Sequence, residues 1–157
     1  MKVPSPKGFT LIELMIVLTV MGILAVIATP NLRSYLAQRR MNGAVRQLAM
    51  DLMRARSEAV ATNKKIIVSL SSNRHQYSFV TDNDGSETIN TGDTTGVTLD
   101  IQSNYYDVTF HSDDGFNPIF RPDGTGQTGS IVVGSSFPGI ADAAIYISRA
   151  GRVRIGT

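Results

Sequence analysis

The sequence predicts an α+β protein in which one long N-terminal α-helix packs on a small antiparallel β-sheet domain. Two observations lead to this fold class. Apolar residues form an almost unbroken run over 9–28 and then recur at helical spacing up to about Thr62. After Asn63 apolar and polar residues alternate with the period of a strand, and turn residues become frequent. A single amphipathic helix that leads into consecutive strands is typical of the α+β class, in which the helix covers one face of the sheet.

The composition excludes several classes of function for this chain of 157 residues. It contains no cysteine, so a disulfide framework, a cysteine nucleophile and cysteine metal ligands are all ruled out. Its histidines, His75 and His111, have no histidine, cysteine or nucleophile pattern beside them. We therefore predict no catalytic residue, no metal and no cofactor, and we expect that the chain is not an enzyme.

Charge is segregated along the chain, although the net charge is only +2. Residues 33–65 carry eight basic and two acidic side chains, whereas residues 82–123 carry nine acidic and one basic. The last ten residues are basic again through Arg149, Arg152 and Arg154. Contact with a polyanion is therefore expected only at the basic segments, because the acidic middle would repel it.

The apolar run has the length that an α-helix needs to cross the hydrocarbon core of a membrane, about 20 residues for about 30 Å. Lys2 and Lys7 precede it, as the positive-inside rule expects of a cytoplasmic end, although arginines also follow it. A secretory signal peptide is the alternative, with Val26–Ala28 as small residues for cleavage. We favour a spanning helix, because the run is long for a signal peptide and contains a carboxylate.

Glu13 is that carboxylate, and its place in an apolar run needs an explanation. An ionised side chain at the centre of a bilayer costs about 2.5–3.5 kcal/mol, so it usually has a partner or a function. No cationic residue lies within one helical turn of Glu13 in the sequence. Either the carboxylate reaches the headgroups from a shallow position, or another molecule supplies its counter-ion.

Residues Gly8 to Glu13, which read Gly-Phe-Thr-Leu-Ile-Glu, resemble the signature of the type IV pilin-like family. The resemblance implies a pilin fold, cleavage between Gly8 and Phe9 by a prepilin peptidase, and methylation of the new Phe9 amine. It also implies that Glu13 pairs with the Phe9 amine of a neighbouring subunit during filament assembly. An α-amino group is largely protonated at neutral pH, so this pair would supply the missing counter-ion. The expected segments are a leader peptide (1–8), a transmembrane helix (9–29), its amphipathic continuation (30–63) and a periplasmic β-rich domain (64–157).

Beyond the apolar run, a stripe of apolar residues continues at alternating spacings of four and three, which places it on one face of a helix. The stripe consists of Met41, Val45, Leu48, Leu52, Ala55 and Ala59. The arginines of this segment mostly avoid the stripe, and they are Arg39, Arg40, Arg46, Arg54 and Arg56. We interpret these arginines as a solvated basic face in preference to a binding surface.

Eight strands are predicted from the alternation of apolar and polar residues and from the turn residues between them. They are Ile66–Leu70, Tyr77–Thr81, Val97–Ile101, Tyr106–His111, Asn117–Arg121, Ser130–Val133, Ala144–Ser148 and Arg152–Ile155. Their spacing predicts antiparallel pairing.

The segment Asp82 to Glu87, which reads Asp-Asn-Asp-Gly-Ser-Glu, offers oxygen ligands that suit calcium. Its glycine is the fourth residue, whereas an EF-hand loop has its glycine at the sixth. Aspartate, asparagine and glycine also form turns readily. We therefore favour a plain acidic turn and assign no metal ligands there.

The C-terminal segment reads as a β-hairpin, and the length of its loop decides the register. A two-residue loop would place Ile147 opposite Arg154 and mix core and charge on one face. A three-residue loop, 149–151, pairs Ile147 with Val153 and puts Gly151 at the left-handed position that such loops require. We therefore predict the three-residue loop.

This loop directs four side chains to the outer face, Tyr146, Ser148, Arg152 and Arg154, with Arg149 at the tip. Two arginines that are two residues apart on a strand lie about 7 Å apart. That distance is comparable with the phosphate spacing along a nucleic-acid strand, and the tyrosine beside the arginines can stack on a base.

The C-terminal segment and the upstream stretch 120–124, Phe-Arg-Pro-Asp-Gly, resemble the FimT/GspH-type minor pilins. Gly151-Arg152-Val153-Arg154 matches the Gly-Arg-x-Arg motif of FimT-like members, which bind DNA during natural transformation. By this resemblance Arg152 and Arg154 contact phosphates and Arg149 assists them. A surface hairpin with solubilising arginines is the alternative.

The resemblance as a whole implies a minor pilin or pseudopilin that assembles into or primes a type IV pilus or a type II secretion pseudopilus. Its implied partners are other pilins or pseudopilins, the inner-membrane assembly platform, prepilin peptidase and the membrane. It would cross the bacterial inner membrane once, hold its C-terminal domain in the periplasm and enter the pilus or pseudopilus. The alternative function is that of a DNA-binding, FimT-like minor pilin for DNA uptake through the C-terminal hairpin, with DNA as a further partner.

Overall fold

The computed structural model of the protein describes residues 8–112 and 115–156, and residues 1–7 of the predicted leader lie outside this range. One long helix, α1, is followed by eight strands and a short 3-10 helix, Ile101–Ser103. The elements are α1 (Leu11–Thr62), β1 (Lys65–Leu70), β2 (Gln76–Asp82), β3 (Thr94–Asp100), β4 (Val108–Ser112), β5 (Ile119–Phe120), β6 (Gly129–Ser135), β7 (Ala143–Ile147) and β8 (Val153–Gly156). Each of the eight predicted strands therefore corresponds to an observed strand.

The chain divides between Leu36 and Ala37 into two compact units. The described part of the first unit is helical from Leu11, and its described side chains are all exposed. Helix α1 includes an 18-residue window with a mean hydropathy of 2.7, which is long and apolar enough to cross a membrane.

In the second unit, helix α1 buries the apolar stripe that the sequence predicts. All six stripe residues are buried, and Val45, the most exposed of them, is only 3% exposed. Ala37, Ala44 and Ala49 are buried beside them, and these small side chains widen the buried face. The stripe thus forms one wall of the main hydrophobic core.

The strands form two four-stranded antiparallel sheets. The first has the order β3-β2-β1-β5 and the second the order β4-β6-β7-β8. After β3 the chain leaves the first sheet through the 3-10 helix, so β4 begins a second sheet. The core contains residues from both sheets and from α1, including Tyr77, Phe110 and Phe120. The α+β class is confirmed, and its β-sheet is divided in two.

Two polar contacts attach α1 to the β-rich domain, each between a buried and a half-buried residue. The Tyr77 hydroxyl donates to an Asp51 carboxylate oxygen at 2.5 Å, and burial together with this hydrogen bond raises the pKa of Tyr77. The Arg40 guanidinium donates two hydrogen bonds to the Asp107 carboxylate, at 2.7 and 2.9 Å. Within residues 8–112 and 115–156, no buried side-chain nitrogen or oxygen lacks a hydrogen-bond partner.

The interpretation of a uniformly solvated basic face is wrong at two of its five arginines. Arg39, Arg46 and Arg54 are exposed. Arg40 instead pairs with Asp107, and Arg56 donates to the Gly124 carbonyl oxygen. The helical period alone could not reveal these partners, because both lie about 67 residues further along the chain.

Candidate functional site

The N-terminal end of α1 holds Glu13 in a capping box. Thr10 precedes the first helical residue, and its backbone amide donates to Glu13 Oε2 at 2.9 Å. The Thr10 hydroxyl also lies 3.0 Å from Glu13 Oε2, and it accepts from the Glu13 amide at 3.3 Å. This reciprocal arrangement satisfies two amide groups that the first turn of a helix leaves without partners.

The capping box gives Glu13 partners within its own chain, which the sequence-based reasoning did not identify. A threonine followed three residues later by glutamate, before an apolar run, is the sequence pattern of this cap. Phe9, whose side chain is 90% exposed, lies directly before Thr10. The pairing of Glu13 with the amine of another subunit stays a prediction.

The C-terminal hairpin has the register that the sequence predicts. Ile147 pairs with Val153 and Ile145 with Ile155, and these two pairs carry the buried side chains Ile145, Ile147 and Val153. The Gly151 amide donates to the Ser148 carbonyl oxygen at 2.8 Å, which closes the three-residue loop. Gly151 has a φ of 68°, as predicted.

The hairpin loop packs against a second turn of the chain. The Gly126 amide donates to the Arg149 carbonyl oxygen at 3.0 Å. A methyl group added at Gly151 would overlap the Gly124 carbonyl oxygen. The two stretches that resemble FimT/GspH-type proteins, 120–124 and the C-terminal motif, therefore lie against each other.

Arg56 of α1 links these two turns, and sequence-based reasoning did not find this role. Its Nε donates to the Gly124 carbonyl oxygen at 2.8 Å, and an outer guanidinium nitrogen lies 3.3 Å from the Ala150 carbonyl oxygen. Arg56 thereby ties the hairpin loop to the helix. No local signal distinguishes it from the exposed Arg54.

The outer face of the hairpin carries the side chains that the register predicts. Tyr146, Arg152 and Arg154 are exposed, and Tyr146 pairs with Arg154 across the two strands. They line a cleft of about 600 Å³, which is within the size range of small-ligand sites. Phe116, Thr128, Ser130 and Ser148 complete its polar and aromatic lining.

The arginines of this cleft are exposed and positively charged. Among the described residues, neither Arg152 nor Arg154 forms a salt bridge or a side-chain hydrogen bond. Arg149 is exposed at the loop tip. The structure therefore brings the three predicted arginines together on one hairpin, with two of them in the cleft.

The acidic segment 82–87 forms a turn built around one buried carboxylate. Asp82 is 3% exposed and accepts from the amides of Gly85, Ser86 and Glu87 at 2.6–3.2 Å. Carboxylate oxygens of Asp82, Asp84 and Asp93 come within 4.8 Å of one another. Backbone amides donate to carboxylate oxygens of all three residues, as in a turn closed by aspartate side chains, and the absence of a metal there stays a prediction.

An ion-pair cluster fixes the end of this turn to the first sheet. Glu87 accepts two hydrogen bonds from Arg121, at 2.8 and 2.9 Å, and lies 3.0 Å from Lys65 Nζ. The hydrogen bonds from Arg121 and then Lys65 lower the pKa of Glu87 to about 2. The charge of Glu87 is therefore compensated locally.

The two histidines lie in different parts of the β-rich domain. His75 directly precedes β2, and its Nδ1 lies 3.0 Å from a carboxylate oxygen of Asp100, the last residue of β3. His111 is exposed on β4.

Two experimentally determined structures share this fold. The type IV minor pilin FimU of Pseudomonas aeruginosa matches with a TM-score of 0.59 and 18% identity, over 76% of this chain and 90% of that one. The minor pseudopilin EpsH from the Type 2 Secretion System of Vibrio cholerae matches with a TM-score of 0.55 and 9% identity, over 74% and 95%. At these identities the likeness shows the pilin fold alone.

A family model described as type II transport protein GspH matches residues 44–151, which contain most of the β-rich region and the hairpin loop. The chain belongs to this GspH family. A model of the prokaryotic N-terminal methylation motif matches residues 5–29 of the same GspH-family chain. The predicted resemblance to the type IV pilin-like family is thereby confirmed.

The similarity of this GspH-family chain to individual curated relatives is partial. A fimbrial protein of Pseudomonas aeruginosa is 41% identical over 73 residues, which are 46% of this chain and 47% of that protein. The chain thus matches about half the length of such curated relatives. Proteins of the pilin and pseudopilin families are structural subunits, which confirms the prediction that the GspH-family chain is not an enzyme.

Proposed function

We propose that this protein is a minor pilin or pseudopilin that assembles into or primes a type IV pilus or a type II secretion pseudopilus. Residues 1–8 act as the leader, and residues 9–29 cross the inner membrane once and leave the C-terminal domain in the periplasm. Prepilin peptidase cuts between Gly8 and Phe9 and methylates Phe9. The partners of the mature subunit are other pilins or pseudopilins and the inner-membrane assembly platform.

One observation carries this proposal: a methylation motif and a GspH-type fold occur in the same chain, over residues 5–29 and 44–151. The capping box adds a physical reason for Glu13. Within the chain, its carboxylate accepts hydrogen bonds from the Thr10 amide and hydroxyl. These bonds stabilise the carboxylate in the membrane before the subunit contacts another subunit. On assembly the carboxylate then pairs with the protonated amine of another subunit.

Two variants separate the charge of Glu13 from its role as a helix cap. Glu13→Gln keeps an acceptor oxygen for the Thr10 amide but removes the charge. Thr10→Ala keeps the charge but removes the hydroxyl. We expect that Glu13→Gln is inserted into the membrane and cleaved but is absent from sheared filaments. Thr10→Ala should be incorporated into filaments, although the loss of the N-cap hydroxyl lowers helix stability by about 1 kcal/mol.

Mass spectrometry of the full chain produced with a prepilin peptidase tests the processing step. The expected product begins at Phe9 and carries one methyl group. Functional protein that retains residues 1–8 would refute the processing step. Normal incorporation of Glu13→Gln would refute the intersubunit ion pair and leave the capping role as the function of Glu13.

A second candidate function is DNA binding for uptake through the C-terminal hairpin, as in FimT-like proteins. The observation that favours it is the pair of exposed guanidinium groups, Arg152 and Arg154, beside Tyr146. Within residues 8–112 and 115–156, neither group has a salt-bridge partner. Arg152 and Arg154 would contact phosphates, and Arg149 would assist from the loop tip. Contacts with phosphates are electrostatic and do not depend on the base sequence. Salt should therefore weaken the binding of any DNA sequence.

A gel shift with the full chain in non-ionic detergent tests this candidate. Arg152→Ala combined with Arg154→Ala should abolish the shift. The matched control, Arg46→Ala combined with Arg54→Ala, removes equal charge from the exposed helix and should leave it in place. A shift that survives the first pair of substitutions, or that disappears equally with both pairs, would show that the hairpin motif is not the binding site.

A further inference from the structure

We propose that the cleft on the outer face of β6, β7 and β8 holds an unpaired base of single-stranded DNA, with the adjoining phosphates on Arg152 and Arg154. The proposal rests on the DNA-binding candidate and adds to it the form of DNA that is bound. It depends on the aromatic lining of the cleft as well as on its charge.

The strand register places the aromatic and cationic groups side by side. Tyr146 is in the middle strand, with Ser130 as its partner on β6 and Arg154 as its partner on β8. Tyr146 is 52% exposed, and its ring lies against Gly156, where a side chain would displace it. Part of the ring therefore packs against the backbone of β8, while about half of the residue is exposed to solvent.

Phe116 adds a second aromatic ring to the cleft. It is partly buried against the main core, and its ring contacts Gly129 at the beginning of β6. The cleft thus combines two aromatic rings with two guanidinium groups in about 600 Å³. Aromatic rings can stack on a flat base, and guanidinium groups can bind the phosphates on either side of it. The cleft therefore suits a nucleotide within a nucleic-acid strand.

The base must be unpaired because stacking on an aromatic side chain requires an open face. In a duplex the faces of the bases are covered by their neighbours, so duplex DNA would contact this cleft only through phosphates. Proteins that bind single strands combine a basic surface with aromatic rings on which bases stack. The residues that line this cleft include no aspartate or glutamate, so nothing in the described lining repels a phosphate.

The test compares single-stranded and duplex DNA of the same length by fluorescence anisotropy, with the full chain in non-ionic detergent. We expect the single strand to bind more tightly. Tyr146→Leu should weaken single-strand binding by about 5- to 100-fold, as expected for the loss of one stacked base, and should change duplex binding by less than about twofold. Arg152→Gln combined with Arg154→Gln should weaken both.

Tyr106→Leu is the matched control, because it removes another exposed tyrosine that does not line the cleft. It should change neither affinity.

The chain has no tryptophan, so tyrosine emission can be followed directly. Single-stranded DNA should quench this emission in the original protein and in Tyr106→Leu, and the quenching should be lost in Tyr146→Leu.

The possible failures are distinguishable. If neither form of DNA binds, the DNA-binding candidate itself is refuted. If duplex and single strand bind equally and Tyr146→Leu changes neither affinity, the arginines bind DNA but the cleft holds no base. An acidic peptide that binds more tightly than the single strand would show instead that the cleft recognises a protein segment, and it would overturn the proposal.

Discussion

Gly151 shows how one residue of the C-terminal motif is selected by backbone geometry. Its φ of 68° is a conformation that side chains with a Cβ atom rarely adopt. The space beside its Cα is also filled by the Gly124 carbonyl oxygen. The glycine of the Gly-Arg-x-Arg sequence is therefore required by the turn, independently of any ligand that the arginines bind.

Gly151→Ala should lower the free energy of unfolding by about 2–4 kcal/mol, as measured by urea denaturation of the full chain in detergent. The left-handed conformation accounts for about 1–2 kcal/mol, and the overlap with backbone accounts for the rest, since backbone relaxes little. Gly139→Ala is the control. It has a φ of 82° but open space around it, so it should cost only about 1–2 kcal/mol. Equal losses in the two variants would contradict the steric part of this explanation.

Asp107 is the second residue whose effect can be predicted from its contacts. The hydrogen bonds from Arg40 hold the pKa of Asp107 below its ordinary value of 3.8. A carboxylate with a lowered folded-state pKa stabilises the fold above its unfolded pKa, and this contribution is lost as the pH falls. Asp107→Asn should therefore cost about 2–3 kcal/mol at pH 7.

The pH dependence tests whether this cost arises from the ion pair. The difference in unfolding free energy between the original protein and Asp107→Asn should begin to shrink as the pH falls below about 4, where the carboxyl of the unfolded chain takes up a proton. It should be lost once the pH is below the lowered folded-state pKa of Asp107, because both side chains are then uncharged. Urea denaturation at pH 7, 5 and 3 measures it. A difference that stays constant over this range would show that the loss comes from packing and not from charge.

At the scale of elements, local patterns predicted much of the structure. All eight strands were predicted from short stretches of apolar and β-branched residues between turn residues, and in some of them apolar and polar residues alternate, as in β7 with its buried Ile145 and Ile147. The hairpin register followed from a choice between two loop lengths, since only one keeps Arg154 out of the core. Both features depend on residues that are close in the sequence.

Features that depend on distant partners were not predicted. The two-residue strand β5 pairs with β1, which lies more than 50 residues earlier in the chain. It is therefore an edge strand of the first sheet, although the strands before and after it, β4 and β6, belong to the second. Arg56 likewise meets Gly124 and Ala150, which lie 68 and 94 residues away. Neither pairing leaves a periodic signal. The capping box of Thr10 and Glu13 differs from these, because its residues are only three apart and its spacing is a recognisable sequence pattern.

Arg56→Ala should loosen the hairpin loop while the rest of the fold is kept. Two carbonyl oxygens lose their donor, for which we expect a loss of about 1–2 kcal/mol in unfolding free energy. Hydrogen exchange at the amides of Gly126 and Gly151 should become faster, because both amides bond within the turns that Arg56 joins. Arg54→Ala is the control from the exposed side of the same helix. If the exchange rates of these amides are unchanged in Arg56→Ala, the contacts between the two turns are sufficient to stabilise them without Arg56.

At the scale of the whole molecule, the second half of α1 belongs energetically to the β-rich domain. Residues from Ala37 onward form one compact unit, and the helix contributes Met41, Val45, Leu48 and Leu52 to its core. Burial of each of these larger side chains is worth about 1.5–3 kcal/mol. Together they supply about 6–12 kcal/mol, which is comparable with the whole stability of a typical domain.

A protein that begins at Arg33 should therefore fold without the apolar run, whereas one that begins at Asn63 should not. The first retains all the helical residues that the structure describes as buried, beginning with Ala37, and the second leaves the inner faces of both sheets exposed. Amide NMR spectra distinguish them: dispersed resonances are expected for the longer fragment and collapsed ones for the shorter. A folded fragment from Asn63 onward would show that the sheets form their core without the helix, and the segment 37–62 would then be free for contacts with other subunits.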